Sequence, residues 1–276
     1  MMLLQAGQLG LTRRDSIWTD ALPPDMVSGA TMWIDFTDTT TLWSNTDFTG
    51  TNVTTDGASV GSAKNKIDTG IGLRKSSEPI LLKTPAANGS SAATFNTASV
   101  TARMDLTNSL SAVAVSTILA ASTKTIIAAI RVTAAGLNQS SPWINDSVFA
   151  DSAGYFGLHL TDDSDPAGNF TARAYNYVSA SDTVSALFPR NEWVVLTMSH
   201  QSGQLRLRVN GGAWVTTASG NTTYMDGQGL VGQTPTPSAR NFELAHLVTF
   251  NTAQTDAAIS AVEHWLALDV GITPWW

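Results

Sequence analysis

From Ala30 onward, apolar residues come in short runs separated by clusters of Gly, Asn, Asp and Ser: TMWIDF, PILLK, AATF, TIIAAIRV, PWINDSVFA, YFGLHL, NFTARAYNYV, EWVVLTMSH, QLRLRVN, AWVTT, GLVGQ and FELAHLVTF. Runs of this length bounded by turn residues predict β-strands. In NFTARAYNYV the period is two. Phe170, Ala172, Ala174, Asn176 and Val178 share one face, and Thr171, Arg173, Tyr175 and Tyr177 the other, as a half-buried strand requires. QLRLRVNGGAW predicts a hairpin with Leu205, Leu207 and Val209 inward, Arg206 and Arg208 outward, and Asn210-Gly211-Gly212 supplying a tight turn. Strands that follow one another without intervening helices predict an all-β fold of two packed antiparallel sheets.

A helical period appears near the end. Thr255 is a good N-cap, Asp256 suits the positive end of a helix dipole, and Ala258, Ile259, Val262, Trp265 and Leu266 form an apolar stripe that Gly271 terminates. Residues 1–27 lack sustained periodicity and end in ALPPDMVSG, whose prolines and glycine favour extended chain and turns. The expected organisation is an N-terminal docking arm over 1–27, one β-sandwich over 28–272 and a tail over 273–276. There is no repeat of fixed period.

Composition narrows the partners. Of 276 residues, 43% are hydrophobic and only 13% charged, so a core is available but the surface must be largely neutral-polar. The net charge of −7 and the scattered Lys and Arg leave no basic stripe for phosphates, which argues against nucleic acid. With no Cys, disulfides and Cys-zinc sites drop out together. In MMLLQAGQLGLTRRDS the basic pair follows the apolar residues, so no signal peptide is expected. SLSAVAVSTILAAS and TIIAAIRV fall short of a membrane span, so no membrane is expected as a partner.

The order of MWIDFTDTTTLW, VTTDGASVGSAKNKIDTG, TIIAAIRV, EWVVLTMS, LRLRVNGGAW and LAHLVTFNTAQTDAAISAVEHWLALDVGI resembles the concanavalin A-like lectin/glucanase sandwich, in its bacterial and phage laminin-G-like form. Asp35, Asp38 and Thr41-Leu42 match the opening motif of that family, and the closing strand and helix match its end. The chain departs from the pattern at SAKNKIDTG and at His246, which stands where the family has an acidic residue. The resemblance implies an all-β, two-sheet antiparallel jelly-roll sandwich with a short C-terminal helix and an extended N-terminal arm. Its motifs are structural and imply no particular chemistry.

Candidate chemistry is sparse. Glycosidases on this fold use a strand-borne pair of Glu residues flanking an Asp, whereas Glu78, Glu192, Glu243 and Glu263 are far apart in sequence, so no catalytic residues and no enzyme activity are expected. GASVG, with Ser59, fits the G-x-S-x-G pattern, but its polar flanks lack the strand and helix of a nucleophile elbow and read as a turn. His159, His200, His246 and His264 show no metal-ligand spacing, and His246 and His264 are expected as satisfied side chains at a sheet–helix contact. Asp162, Asp163 and Asp165 offer hard oxygen ligands, which makes calcium the one cofactor candidate, against the simpler reading of a solvated acidic turn. Of nine Trp, Trp33, Trp193 and Trp214 fall in strands and are expected in the core. Trp275 and Trp276 are expected to dock on the domain or on a partner.

Two functions follow as expectations. The first is a structural protein of a tailed-phage virion, on the capsid, tail or baseplate exterior, tethered to other virion proteins by its arm within a symmetric or homo-oligomeric assembly. The second is a carbohydrate-binding module or adhesin in which Trp143, Tyr175, Tyr177, Asp162, Asp163 and Asp165 meet a host glycan. A glycan hydrolase is the weakest fit.

Overall fold

The computed structural model describes residues 21–76, 79–96, 102–108, 111–120, 122–133, 146–151, 156–161, 169–177, 181–220, 227–233 and 241–273. In chain order its strands are β1 (Ala30–Asp35), β2 (Leu42–Trp43), β3 (Ser59–Val60), β4 (Ser62–Lys64), β5 (Gly72–Lys75), β6 (Ile80–Lys83), β7 (Ala92–Asn96), β8 (Arg103–Asn108), β9 (Ser111–Ala112) and β10 (Lys124–Val132). There follow β11 (Asp146–Asp151), β12 (Phe156–Thr161), β13 (Asn169–Tyr177), β14 (Ser181–Pro189), β15 (Trp193–Gln201), β16 (Gln204–Val209), β17 (Val215–Ala218), β18 (Gly229–Gln233) and β19 (Asn241–Phe250), and then the helix α1 (Asp256–Asp269). They form two antiparallel sheets. The first runs β17-β16-β15-β10-β19-β7-β6-β3, with β1 also paired to β19; the second runs β14-β13-β12-β11-β18-β8-β5-β4-β2, with β9 paired to β8. The expected two-sheet sandwich with a C-terminal helix is what the chain adopts.

The sheets face each other across one apolar layer. Ile126, Ala128 and Ile130 of β10, Leu196 and Met198 of β15, and Leu205 and Leu207 of β16 meet Leu158, Phe170, Ala172, Ala174 and Phe188 from the second sheet. Phe95 and Phe242 stack there with centroids 4.7 Å apart. A second apolar layer lies on the outer face of the first sheet, where Trp33, Ile127, Ala129, Val195, Val248 and Phe250 meet Ile259, Val262, Leu266 and Val270 of the helix region. This explains why TIIAAIRV is apolar at every position from Thr125 to Ile130 except its first: β10 is covered on both faces.

The helix boundaries follow the sequence signals. Thr255 Oγ1 accepts the Ala258 N–H at 3.1 Å. At the other end Gly271, at φ +74°, lets the Ile272 N–H reach the Ala267 carbonyl at 2.8 Å while its own N–H bonds Leu268 at 3.1 Å, the paired closure that a left-handed C′ residue permits. Two hairpin turns differ from expectation. Asn210 and Gly211 do take positive φ, but pairing resumes only at Leu207↔Val215, whereas a two-residue turn, Ser202 and Gly203, joins β15 to β16, with Gln201↔Gln204 closing it. β2, β3, β4, β5, β8, β9 and β14 carry no predicted run; β14 alternates Val184 and Phe188 inward with exposed Thr183, Ser185 and Leu187, a signal diluted by its Ser, Asp and Ala.

Residues 1–20, the bulk of the expected arm, lie outside the described residues, as do residues 274–276 with Trp275 and Trp276. The end of the arm is held by its own domain. The Leu22 N–H donates to the Ala261 carbonyl at 3.0 Å, Val27 is buried in the helix layer, and Gln254 Nε2 donates to the Ser28 carbonyl at 3.0 Å.

Candidate functional site

Two polar groupings sit under the helix. In the first, Arg208 from β16 holds the fully buried Glu263 of α1 through two bonds, Nε to Oε1 at 2.8 Å and Nη2 to Oε2 at 2.6 Å, and the Thr197 hydroxyl donates to the same carboxylate. Burial pushes the Glu263 carboxyl up from its ordinary value, against the pull of Arg208 and Thr197. Arg208 and Arg206 also lie over the Trp214 ring at 4.2 and 4.3 Å. Outward-pointing arginines on β16 are therefore the polar half of the helix-docking surface.

The second grouping surrounds His246. β19 pairs with β1 over residues 246–250 and with β7 over 241–244, and the extra residue between them, Ala245, forms a bulge. His246 consequently faces the helix: its Nε2 lies 2.8 Å from Asp269 Oδ2, and its Nδ1 lies 3.3 Å from Asp35 Oδ1 as an electrostatic contact without hydrogen-bond alignment. The helix residue meeting His246 is thus Asp269. Lys66 Nζ bridges Asp35 and Asp38 at 3.0 and 3.1 Å. Burial works against charge on Asp38, Lys66 and Asp269 alike. Thr40 and Lys66 nevertheless hold Asp38 below its usual range, His246 holds Asp269 below its own, and the two aspartates raise Lys66. Asp35 also accepts the Thr37 and Asp38 N–H groups, so the matched Asp35, Asp38 motif is a loop-fixing device. Both groupings are closed ion-pair networks that seat the helix.

The other outer face, that of the second sheet, is polar, and the one α-helix among the described residues lies on the opposite sheet. Register places Ser185 of β14, Arg173 of β13 and His159 of β12 in one cross-strand row, and Thr183, Tyr175 and Gly157 in the next. Exposure falls inward along these rows. Thr183 and Ser185 are exposed, Arg173 is half-buried, and Tyr175 and His159 are buried. The result is a shelf open along β14 and closed toward the sheet centre. Its floor depends on Gly157. A Cβ there would lie 2.4 Å from His159 Nε2 and 2.6 Å from the Ala150 Cβ, so the missing side chain is what lets the imidazole lie across β12 toward the edge of Tyr175, at 6.3 Å between centroids.

Arg173 differs from its kind. Arg103 pairs with Asp105, Arg131 with Glu243, Arg206 with Asp256 and Arg208 with Glu263, and Arg190 lies over Phe170. Arg173 meets no carboxylate and no ring among the described residues. The alternation of NFTARAYNYV already put it beside Tyr175 on the outward face, and the absence of an acidic partner for it among the described residues is the feature no sequence pattern could reveal.

Of the predicted binding residues, Tyr175 lies on this shelf with 8% of its surface exposed. Tyr177 is paired with Ser181 in the sheet. Trp143, Asp162, Asp163 and Asp165 lie outside the described residues. Among the described residues no group of three His, Asp or Glu side chains is arranged to hold a metal ion. Trp33 is buried and Trp193 and Trp214 partly so, all three in the helix layer. Of the described glutamates, Glu192 is exposed and Glu243 and Glu263 are locked by arginines.

A third polar group lies inside the sandwich, at one end of the inter-sheet layer. Lys124 and His200 are cross-strand neighbours, both buried. Lys124 Nζ lies 4.4 Å from the Phe156 ring, and burial pulls its pKa down to about 7, with Asp151 pulling the other way. His200 is lowered by burial and by Lys124, and its Nε2 lies 3.2 Å from the Ser219 carbonyl.

No protein-family model matches the chain, and no curated protein matches it by sequence. Among solved structures it is similar to the binding domain of botulinum neurotoxin serotype D, with a TM-score of 0.55 and 9% identity over 85% of this chain and 51% of that one. The binding domain of Paraclostridial Mosquitocidal Protein 1 gives 0.53 and 13%, over 77% and 51%. The binding domain of botulinum neurotoxin DC in complex with SialylT gives 0.52 and 9%, over 87% and 52%. At these identities the likeness is one of fold, a two-sheet sandwich, and this chain spans about half the length of those domains.

Proposed function

We propose that the chain is a carbohydrate-binding module whose ligand lies on the outer face of the second sheet. The observation that carries this reading is the asymmetry of the sandwich: one outer face is apolar and covered by the helix, while the other presents the exposed Ser185 and Thr183 and the partly exposed Arg173 along its edge, with Tyr175 buried behind them. Hydroxyls, a guanidinium and an aromatic edge at a partly enclosed site suit a polyol ligand. The fold shared with toxin binding domains, one of them in complex with SialylT, supports a binding role over a hydrolytic one, as does the arginine lock on Glu243 and Glu263. A glycan array probed with the full chain tests it. Saturable binding to a defined glycan class, lost when Tyr175 and Arg173 are both replaced by Ala, is the expected result; a blank array refutes it.

A second reading places this module on a virion exterior, tethered by its N-terminal arm over 1–27 and docked through Trp275 and Trp276. It is supported by the low charged fraction of 13% and by the apolar side chains Leu22 and Met26, 38% and 70% exposed, on the described end of that arm. A chain beginning at Ala21 keeps every described contact. It should fold normally but fail to dock on particles lacking the protein; docking equal to that of the full chain refutes the tether.

A further inference from the structure

We propose that Arg173 is the anchor for a carboxylate on the ligand, so that the shelf takes an acidic glycan, one carrying a uronic- or sialic-type carboxyl group; this rests on the glycan reading above. Among the described residues, Arg103, Arg131, Arg206 and Arg208 are each paired with a carboxylate, at closest N–O distances of 2.6–3.1 Å, in a chain whose net charge is −7. In such an acid-rich chain a partly exposed arginine that has no acidic partner among the described residues is conspicuous, because its stem is packed against the sheet while its charge is left for a partner from outside. The planar fork of Arg matches a carboxylate bidentately.

The position suits an incoming ligand. Arg173 stands between the exposed Ser185 on the edge strand and the buried His159, at the boundary between open and closed parts of the shelf. A ring entering over β14 would bring its carboxylate to Arg173 and its hydroxyls to Ser185 and Thr183. The site also selects the charge of the ligand. Arg103 lies four strands away in the order β13-β12-β11-β18-β8, roughly 19 Å at ~4.8 Å per strand, and is already paired with Asp105. With no second arginine beside it among the described residues of the shelf, one guanidinium balances a singly charged carboxylate and not a sulfate or phosphate cluster.

The test is an array that presents each glycan with and without its terminal carboxylate sugar, followed by calorimetric titration of the full chain with the best acidic glycan, its neutral counterpart and a hexaglutamate peptide. The acidic glycan should bind about tenfold to a hundredfold more tightly than the neutral one, as charge-assisted bonds predict. The advantage should shrink with added salt. Arg173→Gln should reduce the acidic glycan to the level of the neutral one without moving the melting temperature, and Arg173→Lys should recover only part of the loss. Equal affinity for the neutral and acidic forms, unaffected by Arg173→Gln, overturns the carboxylate anchor and leaves the glycan reading standing. Absence of binding to every glycan overturns both. Arg173-dependent binding of hexaglutamate in preference to any sugar shows a protein ligand and overturns the acidic-glycan assignment.

Discussion

Replacing Glu263 tests how the helix is held. The carboxylate is fully buried, receives two short bonds from Arg208, and accepts the Thr197 hydroxyl, while Arg208 itself is only slightly exposed and also donates to Ser260 Oγ at 3.2 Å. Glu263→Leu leaves a buried guanidinium without its anion and a threonine hydroxyl without its acceptor. Breaking a buried pair from one side costs about 3–5 kcal/mol. The apolar contacts of the same helix face set the scale for comparison: Ile259, Val262 and Leu266 are each buried to 1% exposure or less and contribute roughly 1.5–3 kcal/mol apiece. The single variant should therefore lose about half of what the stripe supplies, so that the helix loosens before the sandwich does. Arg208→Met alone should cost a similar amount. Because removing both charges abolishes the desolvation penalty, the double variant Arg208→Met/Glu263→Leu should lie within about 1–2 kcal/mol of the parent, giving a coupling energy of several kcal/mol. Urea unfolding monitored by Trp fluorescence, with the helix followed separately by far-ultraviolet circular dichroism, measures all four corners of the cycle. Additive losses in the double variant would refute the argument, since they would mean that Arg208 and Glu263 act independently and that the charges remain hydrated.

Two further predictions concern buried groups. The Lys124 pKa lies near 7 in the fold and at 10.5 in the free side chain, so between those values the unfolded chain holds a proton that the folded chain lacks, and stability must rise with pH, by up to roughly 4–5 kcal/mol at ~1.4 kcal/mol per unit. Below about pH 7 both states are protonated and the penalty is constant; Asp151, His200 and Asp182 are the other titratable groups at this end of the layer. Comparing urea midpoints of the parent and Lys124→Met at about pH 7 and pH 9.5 isolates the effect, and a difference between them that does not change with pH would refute it. Gly157→Ala would place a methyl 2.4 Å from His159 Nε2 and 2.6 Å from the Ala150 Cβ, so it should cost about 1–3 kcal/mol and weaken ligand binding by displacing the imidazole. A melting temperature and an affinity both equal to the parent's would show that His159 does not form the floor of the shelf.

The elements legible in the sequence are those whose own residues carry the signal. The helix shows its stripe, its Thr255 cap and its Gly271 stop, and β13 shows its period of two. Elements that escaped include β8, buried at four successive positions and so without the alternation of a half-buried strand, and β14, whose inward Val184 and Phe188 are interspersed with Asp182 and Ala186. The polar groupings escaped for a different reason. Arg208 and Glu263 are 55 positions apart and Asp35 and His246 belong to opposite ends of the chain, so only pairing of β1 with β19 and docking of the helix bring them together. His246 needed a bulge as well, since regular alternation of β19 would have turned it away from the helix.

The same contrast decides where a ligand can go. β10 is apolar on both faces and β13 on one, and a central strand apolar on both faces must be covered twice, whereas a strand with Thr171, Arg173 and Tyr175 outward offers no apolar stripe for a helix to cover. The helix therefore has one face on which it gains by docking, and Arg206, Arg208 and His246 on that face are matched by Asp256, Glu263 and Asp269 on the helix. The opposite face carries polar groups, and among the described residues no helix docks on it. A protein that pairs Arg131, Arg206 and Arg208 with carboxylates on its helix-covered face, but gives the partly exposed Arg173 no carboxylate among the described residues, has placed that charge beside the exposed edge strand, where something from outside can reach it.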